Sequence, residues 1–221
     1  SAGFFVTGCD PYEHRTRASC ELILALRREG IDVGAMKPIE TGCSDLPGRA
    51  SAALTRAVGG GDAAADVCPF PFELDAAPAV AARTAGRPID LEHIEEAFAR
   101  IAGRRAAVVV EGAGGLLSAI SDGTCMAELA GRLRLPLILV EPARAGAAER
   151  LDLAAEAAMA RGLEIAGVIL CSESEAPPAG LRAEMDWLRE RLAGLLLGSV
   201  CVKRDLPAAS LEVDRLLFEL R

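Results

Sequence analysis

The chain has 221 residues and a mass of 23.0 kDa, with 51% apolar, 25% charged and only 4% aromatic residues. Its net charge of −8, from 24 Lys and Arg against 32 Asp and Glu, argues against a groove for a nucleic-acid backbone, which needs clustered positive charge. The mean hydropathy is +0.27, yet no window reaches the roughly 18 uninterrupted apolar residues of a membrane span.

Residues 3–7 form a short apolar run closed by Gly8, the pattern of a buried strand; the run is too short, and lacks the basic flank, for a signal peptide. Residues 16–29 carry Ala18, Leu22, Ala25 and Leu26 at helical spacing, with Gly30 as a stop. Residues 31–36 read as the next strand, and residues 42–61 as a polar loop followed by an Ala-rich helix. Pro69, Pro71 and Pro78 make residues 69–78 irregular, and Asp90 caps a helix that runs to Ile101.

Residues 106–110 are a second buried strand, ending at Glu111 and a glycine run. Helix is expected over 124–133, strand over 137–140, helix over 147–161, strand over 166–170, helix over 180–193, strand over 195–202 and helix over 208–220. Continuous apolar strands alternating with helices of this length predict a doubly wound, mostly parallel α/β sheet flanked by helices. With no internal repeat or linker in view, residues 1–221 are expected to form a single domain. Seven cysteines lie scattered, with no CxxC pair and no Cys/His cluster near His14 or His93. Neither a disulfide framework nor a zinc site is expected; most of the thiols read as small core residues, and the cytoplasm as the compartment.

In such sheets ligands sit at the carboxyl ends of the strands, here residues 8–17, 37–43, 111–115 and 141–150. The first of these, Gly8-Cys-Asp-Pro-Tyr-Glu-His-Arg-Thr16, lies where backbone N–H groups and a helix N-terminus attract phosphate. A P-loop reads Gly-Lys-Thr where this chain reads His14-Arg15-Thr16, so an ordinary strand-to-helix turn stays open beside a phosphate loop. Lys37, in Met36-Lys-Pro-Ile-Glu-Thr-Gly42, reads either as a lysine holding a carboxylate or phosphate, whose loss would abolish activity and leave the thermal midpoint nearly unchanged, or as an ordinary surface lysine. Glu111, in Val108-Val-Val-Glu-Gly-Ala-Gly-Gly115, reads either as a Mg²⁺-binding acid at a strand end or as the start of a Gly-rich turn. Two histidines give no credible Ser-His-Asp arrangement, and His93 reads as part of an exposed helix.

Order and spacing say more than any one motif. Phe5-Val-Thr-Gly-Cys-Asp10, Met36-Lys-Pro-Ile-Glu-Thr-Gly42, Gly86-Arg-Pro-Ile-Asp-Leu91, Val109-Val-Glu-Gly-Ala-Gly-Gly-Leu116, Ser121-Asp122, Leu135-Pro-Leu-Ile-Leu-Val140 and Arg161-Gly-Leu163 with Ala166-Gly167 together resemble the dethiobiotin synthetase family along nearly the whole chain. The resemblance implies a P-loop NTPase-like form of the α/β sheet and a homodimeric cyclo-ligase that uses ATP, Mg²⁺ and CO2 to close a ureido ring on the diamine 7,8-diaminononanoate in biotin synthesis. It implies Lys37 and Arg15 as catalytic residues, with Arg15 in the place of the phosphate lysine, and Thr41 as the substrate-binding hydroxyl. It places Gly8, Tyr12, Glu13, His14, Arg15, Thr16 and Arg17 around the nucleotide, along with Glu111, Gly112, Ala113 and Gly114. Thr16 and Glu111 become the metal ligands, and Arg144 matches a basic loop residue.

The departures fall on nucleotide binding. His14 and Arg15 break the loop consensus, the family's metal-binding Asp after Lys37 gives way to Ala50 or Ser51, and Cys171 stands where an Asn reads adenine. Ala79 follows Pro78 where the family often has His. Two alternatives to the ligase follow. One is a nucleotide-binding-deficient homologue serving as a binding or dimerisation module; the other is an ATP-dependent carboxylating enzyme acting on a different amine.

Overall fold

β1 (Gly3–Gly8) is buried at every residue, as a strand covered on both faces must be. It is followed by α1 (His14–Arg28), β2 (Val33–Met36), β3 (Ile39–Thr41), α2 (Arg49–Val58), α3 (Ala64–Val67) and β4 (Phe70–Phe72). Next come α4 (Pro78–Thr84), α5 (Leu91–Ala102), β5 (Ala107–Gly115), β6 (Ala119–Ser121), β7 (Thr124–Cys125) and α6 (Met126–Leu133). The chain then runs through β8 (Leu137–Pro142), α7 (Ala147–Met159), β9 (Ile165–Ser172), α8 (Ala179–Arg191), β10 (Leu196–Cys201) and α9 (Asp214–Glu219). This computed structural model describes residues 2–8, 14–43, 47–173, 179–192, 194–202 and 211–220.

Six strands form one parallel sheet in the order β10-β9-β8-β1-β5-β2. The chain leaves β1 for β2, two places away, returns to fill β5 between them, and then crosses to β8 on the other side. The strand order therefore reverses at β1, and a crevice opens at the carboxyl ends of β1 and its neighbours. Side chains of β5 alternate across the sheet. Val108 and Val110 join Phe5, Ile94, Ile101, Leu129 and Leu151 under α5, α6 and α7. Val109 joins Val6, Leu22, Leu54 and Leu216 under α1, α2 and α9. Phe5 is wholly buried, which stabilises the fold by about 2–3 kcal/mol.

Local chemistry sets the helix ends. The Asp90 carboxylate accepts the Glu92 N–H at 2.9 Å to start α5. Arg27 and Arg28 lie in the last turn of α1, where the dipole favours cations. Gly59, at φ +86°, closes α2 in the left-handed conformation that glycine adopts without strain. Among the described residues, no helix is long and apolar enough to cross a membrane.

The sequence reading holds for the alternation of strands and helices and fails in particular places. Residues 69–78 are irregular only outside residues 70–72: β4 pairs in parallel with β3, Ile39 opposite Phe70 and Thr41 opposite Phe72, while residues 73–77 carry no regular structure. Pro71 is tolerated there because β4 is an edge strand. Pro78 opens α4 instead of breaking it, since the first helical position needs no N–H. β2 begins at Val33, two residues later than expected, and β5 runs on through the glycines to Gly115. Thr124 and Cys125 belong to the antiparallel β6–β7 pair, so α6 starts only at Met126. The last helix, expected from residue 208, starts only at Asp214: residues 211–213 are described and not helical, and residues 203–210 lie outside the described set. All six described cysteines are free thiols, but only Cys68 and Cys171 are fully buried; the expectation of mostly core cysteines is therefore too strong.

Candidate functional site

The end of β2, the middle of β5 and the first turn of α1 deliver one polar cluster. Lys37 is the first residue past β2 and its N–H donates to Val67 O at 2.7 Å, which fixes its backbone. Glu111 lies in β5 opposite Val6 of β1, and Thr16 sits in the first turn of α1. The Lys37 ammonium donates to Glu111 Oε1 at 2.9 Å and to Gly112 O at 2.6 Å. The Thr16 hydroxyl donates to the same Oε1, also at 2.9 Å. Lys37 is 5% exposed and Glu111 1%, so the surface-lysine reading is corrected: this is a buried ion pair. Sequence shows the strand end but not the depth that the crevice gives it.

The pair has capacity to spare. An ammonium has three donors, of which Lys37 uses two among the described residues. Glu111 Oε2 is buried and accepts no hydrogen bond among the described residues, and such an orphaned acceptor is costly unless something else binds it. A carboxylate oxygen beside a Thr hydroxyl is the donor set that Mg²⁺ takes when it keeps water and phosphate oxygens for its other positions. Among the described residues no group of three or more His, Cys, Asp or Glu is placed to hold a metal alone. The residues present therefore fit a phosphate-borne Mg²⁺ and give no sign of a closed protein cage.

The other expected site residues are dispersed around this cluster. Gly8 ends β1 between Gly115 of β5 and Val140 of β8. His14 is the first residue of α1, and its carbonyl accepts the Cys171 thiol at 3.8 Å. Arg15 follows, its residue 7% exposed. Arg17 is bound to the Glu21 carboxylate at 2.8 Å; burial raises the Glu21 pKa and the Arg17 charge opposes that rise. Thr41, the last residue of β3, is half-buried, and Arg144 is exposed. Tyr12 and Glu13, assigned by resemblance to the nucleotide loop, lie outside the described residues.

The glycines after Glu111 answer to internal packing. A Cβ on Gly112 would lie 2.9 Å from the Phe5 ring. Gly114 has φ +75°, and a Cβ there would lie 2.1 Å from Ser118 Oγ, which accepts the Gly115 N–H at 2.8 Å. The Ala113 side chain is buried. Where the resemblance implies a base-reading Asn, burial pushes the Cys171 thiol up to about 12 and the Glu141 charge adds to the rise. It thus offers one weak neutral donor where an Asn amide would offer two donors and an acceptor.

Besides Glu21, sequence reasoning missed two buried carboxylates. Glu141, wholly buried at the end of β8, is gripped by Arg150 Nε at 2.6 Å. Glu40, 5% exposed in β3, accepts the Ala50 N–H at 2.6 Å and the Ser51 N–H at 3.1 Å. The one available signal was α2 itself, whose N-cap is Gly48 and whose first turn carries no acid.

Comparison with known proteins gives a consistent picture. The AAA domain family matches residues 2–210. An ATP-dependent dethiobiotin synthetase of Anaeromyxobacter dehalogenans is 42% identical over 170 residues, 76% of this chain and 75% of that protein. One from Xanthomonas oryzae pv. oryzae is 34% identical over 213 residues, 94% of each chain, and one from Aromatoleum aromaticum 36% identical over 203 residues, 89% of each. Among solved structures, the MinC:MinD cell division complex of Aquifex aeolicus superposes with a TM-score of 0.57 at 14% identity, covering 99% of this chain and 86% of that one. A ParA family ATPase of Chlorobium tepidum gives 0.55 at 13% identity, covering 100% and 99%. At such identities these two speak for the fold alone, a parallel P-loop NTPase-like sheet.

Proposed function

Because the chain belongs to the ATP-dependent dethiobiotin synthetase family, we propose that it is an ATP-dependent ligase that closes a ureido ring on 7,8-diaminononanoate with CO2. The observation that carries this reading is the convergence of Lys37 just past β2, Glu111 within β5 and Thr16 in the first turn of α1. One amine of the substrate takes up CO2 as a carbamate, whose oxygen attacks the γ-phosphorus of ATP and releases ADP. The second amine then attacks the carbonyl carbon of the carbamic-phosphoric anhydride, and phosphate leaves. Negative charge builds on the transferring phosphoryl group, so positioned cations lower the barrier.

Lys37 supports that step with its third N–H, while Glu111 and Gly112 O hold the other two and fix its direction. Glu111 Oε2 and the Thr16 hydroxyl would hold Mg²⁺, which when bound neutralises charge on the β- and γ-phosphates. Thr41 is assigned to the diamine or its carbamate. Gly8, Tyr12, Glu13, His14, Arg15 and Arg17 are assigned to the nucleotide side, with Arg15 as the phosphate cation, and Gly112, Ala113 and Gly114 to the wall between nucleotide and diamine. We further assign residues 1–221 to a single domain, the assembly to a homodimer and the compartment to the cytoplasm.

A second reading, a homologue that keeps the fold without binding nucleotide, draws on the buried Arg15 and on Cys171 at the base position. Calorimetric titration with Mg-ATP separates the two. The ligase reading expects saturable heat, and phosphate release once diamine and bicarbonate are added; no heat at millimolar nucleotide, with or without diamine, removes it.

A further inference from the structure

Helix α2 begins without local help. Its N-cap, Gly48, has no side chain, and its first turn carries no acid to offset the helix dipole. Both functions come from a distant strand. Glu40 Oε1 accepts the Ala50 N–H and Oε2 the Ser51 N–H, so one carboxylate satisfies two of the first-turn donors and brings a negative charge to the positive end of the helix.

The close approach depends on Gly48. A Cβ at that position would lie 2.4 Å from Glu40 Cδ and 2.6 Å from each of its oxygens. Gly48 has φ −64°, so what requires glycine here is space and not backbone conformation. Ser51 Oγ donates back to Gly48 O at 3.2 Å and Cys43 Sγ to Glu40 O at 3.5 Å, which ties both sides of the clamp to their own loops.

β3 needs such an anchor. Among the described residues it is not part of the six-stranded sheet and pairs only with the three-residue β4. Ile39 packs into the apolar cluster below α5 and α6, while its neighbour Glu40 turns the other way, to α2. Thr41 comes immediately after Glu40, and Lys37 three residues before it. We propose that Glu40 is a positioning residue that clamps β3 to the first turn of α2 and so sets where the Thr41 hydroxyl meets the diamine. The inference rests on the ligase reading above and on its assignment of Thr41.

The fixed Lys37–Glu111 pair does not depend on this clamp, because Lys37 is held separately by Gly112 O and Val67 O. Loosening β3 therefore acts on the diamine side more than on the nucleotide side. In Glu40→Gln an NH2 group faces a backbone N–H and the charge is lost with almost no change of volume. Gly48→Ala displaces the carboxylate and leaves its charge in place.

The test is steady-state phosphate release by the full chain, with 7,8-diaminononanoate and Mg-ATP varied in turn, well below each variant's thermal midpoint. Both variants are expected to raise the diamine KM by about tenfold or more, with the Mg-ATP KM within about twofold of the parent. Glu40→Asp, which keeps the charge but withdraws it by one methylene, is expected to fall between, and it supplies the same readout if Glu40→Gln does not fold. A lowered midpoint with an unchanged diamine KM overturns the proposal and leaves Glu40 a helix cap. A parallel rise in both KM values overturns it as well. A parent protein with no diamine-dependent phosphate release overturns the ligase reading itself, and this inference with it.

Discussion

Removing the Lys37 side chain tests whether the centre of the site is a buried ion pair. Lys37→Ala deletes the ammonium and leaves Glu111, with its side chain 1% exposed, paired among the described residues only with the Thr16 hydroxyl at 2.9 Å. Breaking a buried pair from one side costs about 3–5 kcal/mol, because an uncompensated charge stays behind. Since Thr16 still donates and water can enter the space vacated by a long side chain, about 3 kcal/mol is the better figure. For a chain of this length that lowers the thermal midpoint by about 6–12 °C.

Calorimetry without nucleotide measures the shift, and the double variant Lys37→Ala with Glu111→Gln supplies the control. Neutralising Glu111 removes the stranded charge, so the double variant is expected to be more stable than Lys37→Ala alone, with a coupling of about 1–3 kcal/mol. A midpoint for Lys37→Ala within about 1 °C of the parent would refute the buried-pair reasoning, and so would a double variant in which the two single effects simply add. Phosphate release is expected to vanish in Lys37→Ala at temperatures where it remains folded.

Other consequences can be checked independently. His14→Gly with Arg15→Lys restores the close backbone approach and the point charge of a phosphate loop, and is expected to raise Mg-ATP affinity by about tenfold or more in a calorimetric titration; unchanged affinity would count against a phosphate site at the start of α1. Arg134, exposed after α6, is held at φ 54°, so Arg134→Gly relieves left-handed strain and is expected to raise the thermal midpoint by about 2–4 °C; a fall would contradict this. Burial raises the Cys171 thiol from 9.0 to about 12. A pKa that is higher in the folded chain gives stability that is intact below about pH 9 and lost as the pH climbs towards 12, by about 2 kcal/mol near pH 10.5. Cys171→Ala should therefore lose less stability than the parent between pH 8 and about pH 10.5 in parallel denaturant titrations, and equal losses would argue against a buried neutral thiol.

How much of this was legible in the sequence follows from which interactions are local. The six main strands were readable because a parallel strand covered on both faces must be apolar throughout, as in Gly3–Gly8 and the valines of β5. The β3–β4 ribbon was not, since three residues including Pro71 carry no periodicity and the pairing partner lies some 30 residues away. Pro78 was misread because the same residue that breaks a helix interior suits its first position. Lys37, Thr16 and Glu111 were found from their places at strand and helix ends, and the fold brings them within hydrogen-bonding distance. Their burial was invisible, and so was the role of Glu40, because its partners are the backbone amides of Ala50 and Ser51, which have no signature in side-chain identity. The glycine run was visible but ambiguous, and the Phe5 ring and Ser118 account for Gly112 and Gly114.

The most direct test of the central claim is whether the chain forms the ureido carbonyl itself. The purified protein would be incubated with 7,8-diaminononanoate, Mg-ATP and ¹³C-bicarbonate, and the products followed by mass spectrometry alongside phosphate release. The account predicts a cyclic product carrying one labelled carbonyl carbon, formed in step with phosphate and dependent on all three substrates. Nucleotide binding without labelled product, or phosphate release that ignores the diamine, would contradict it.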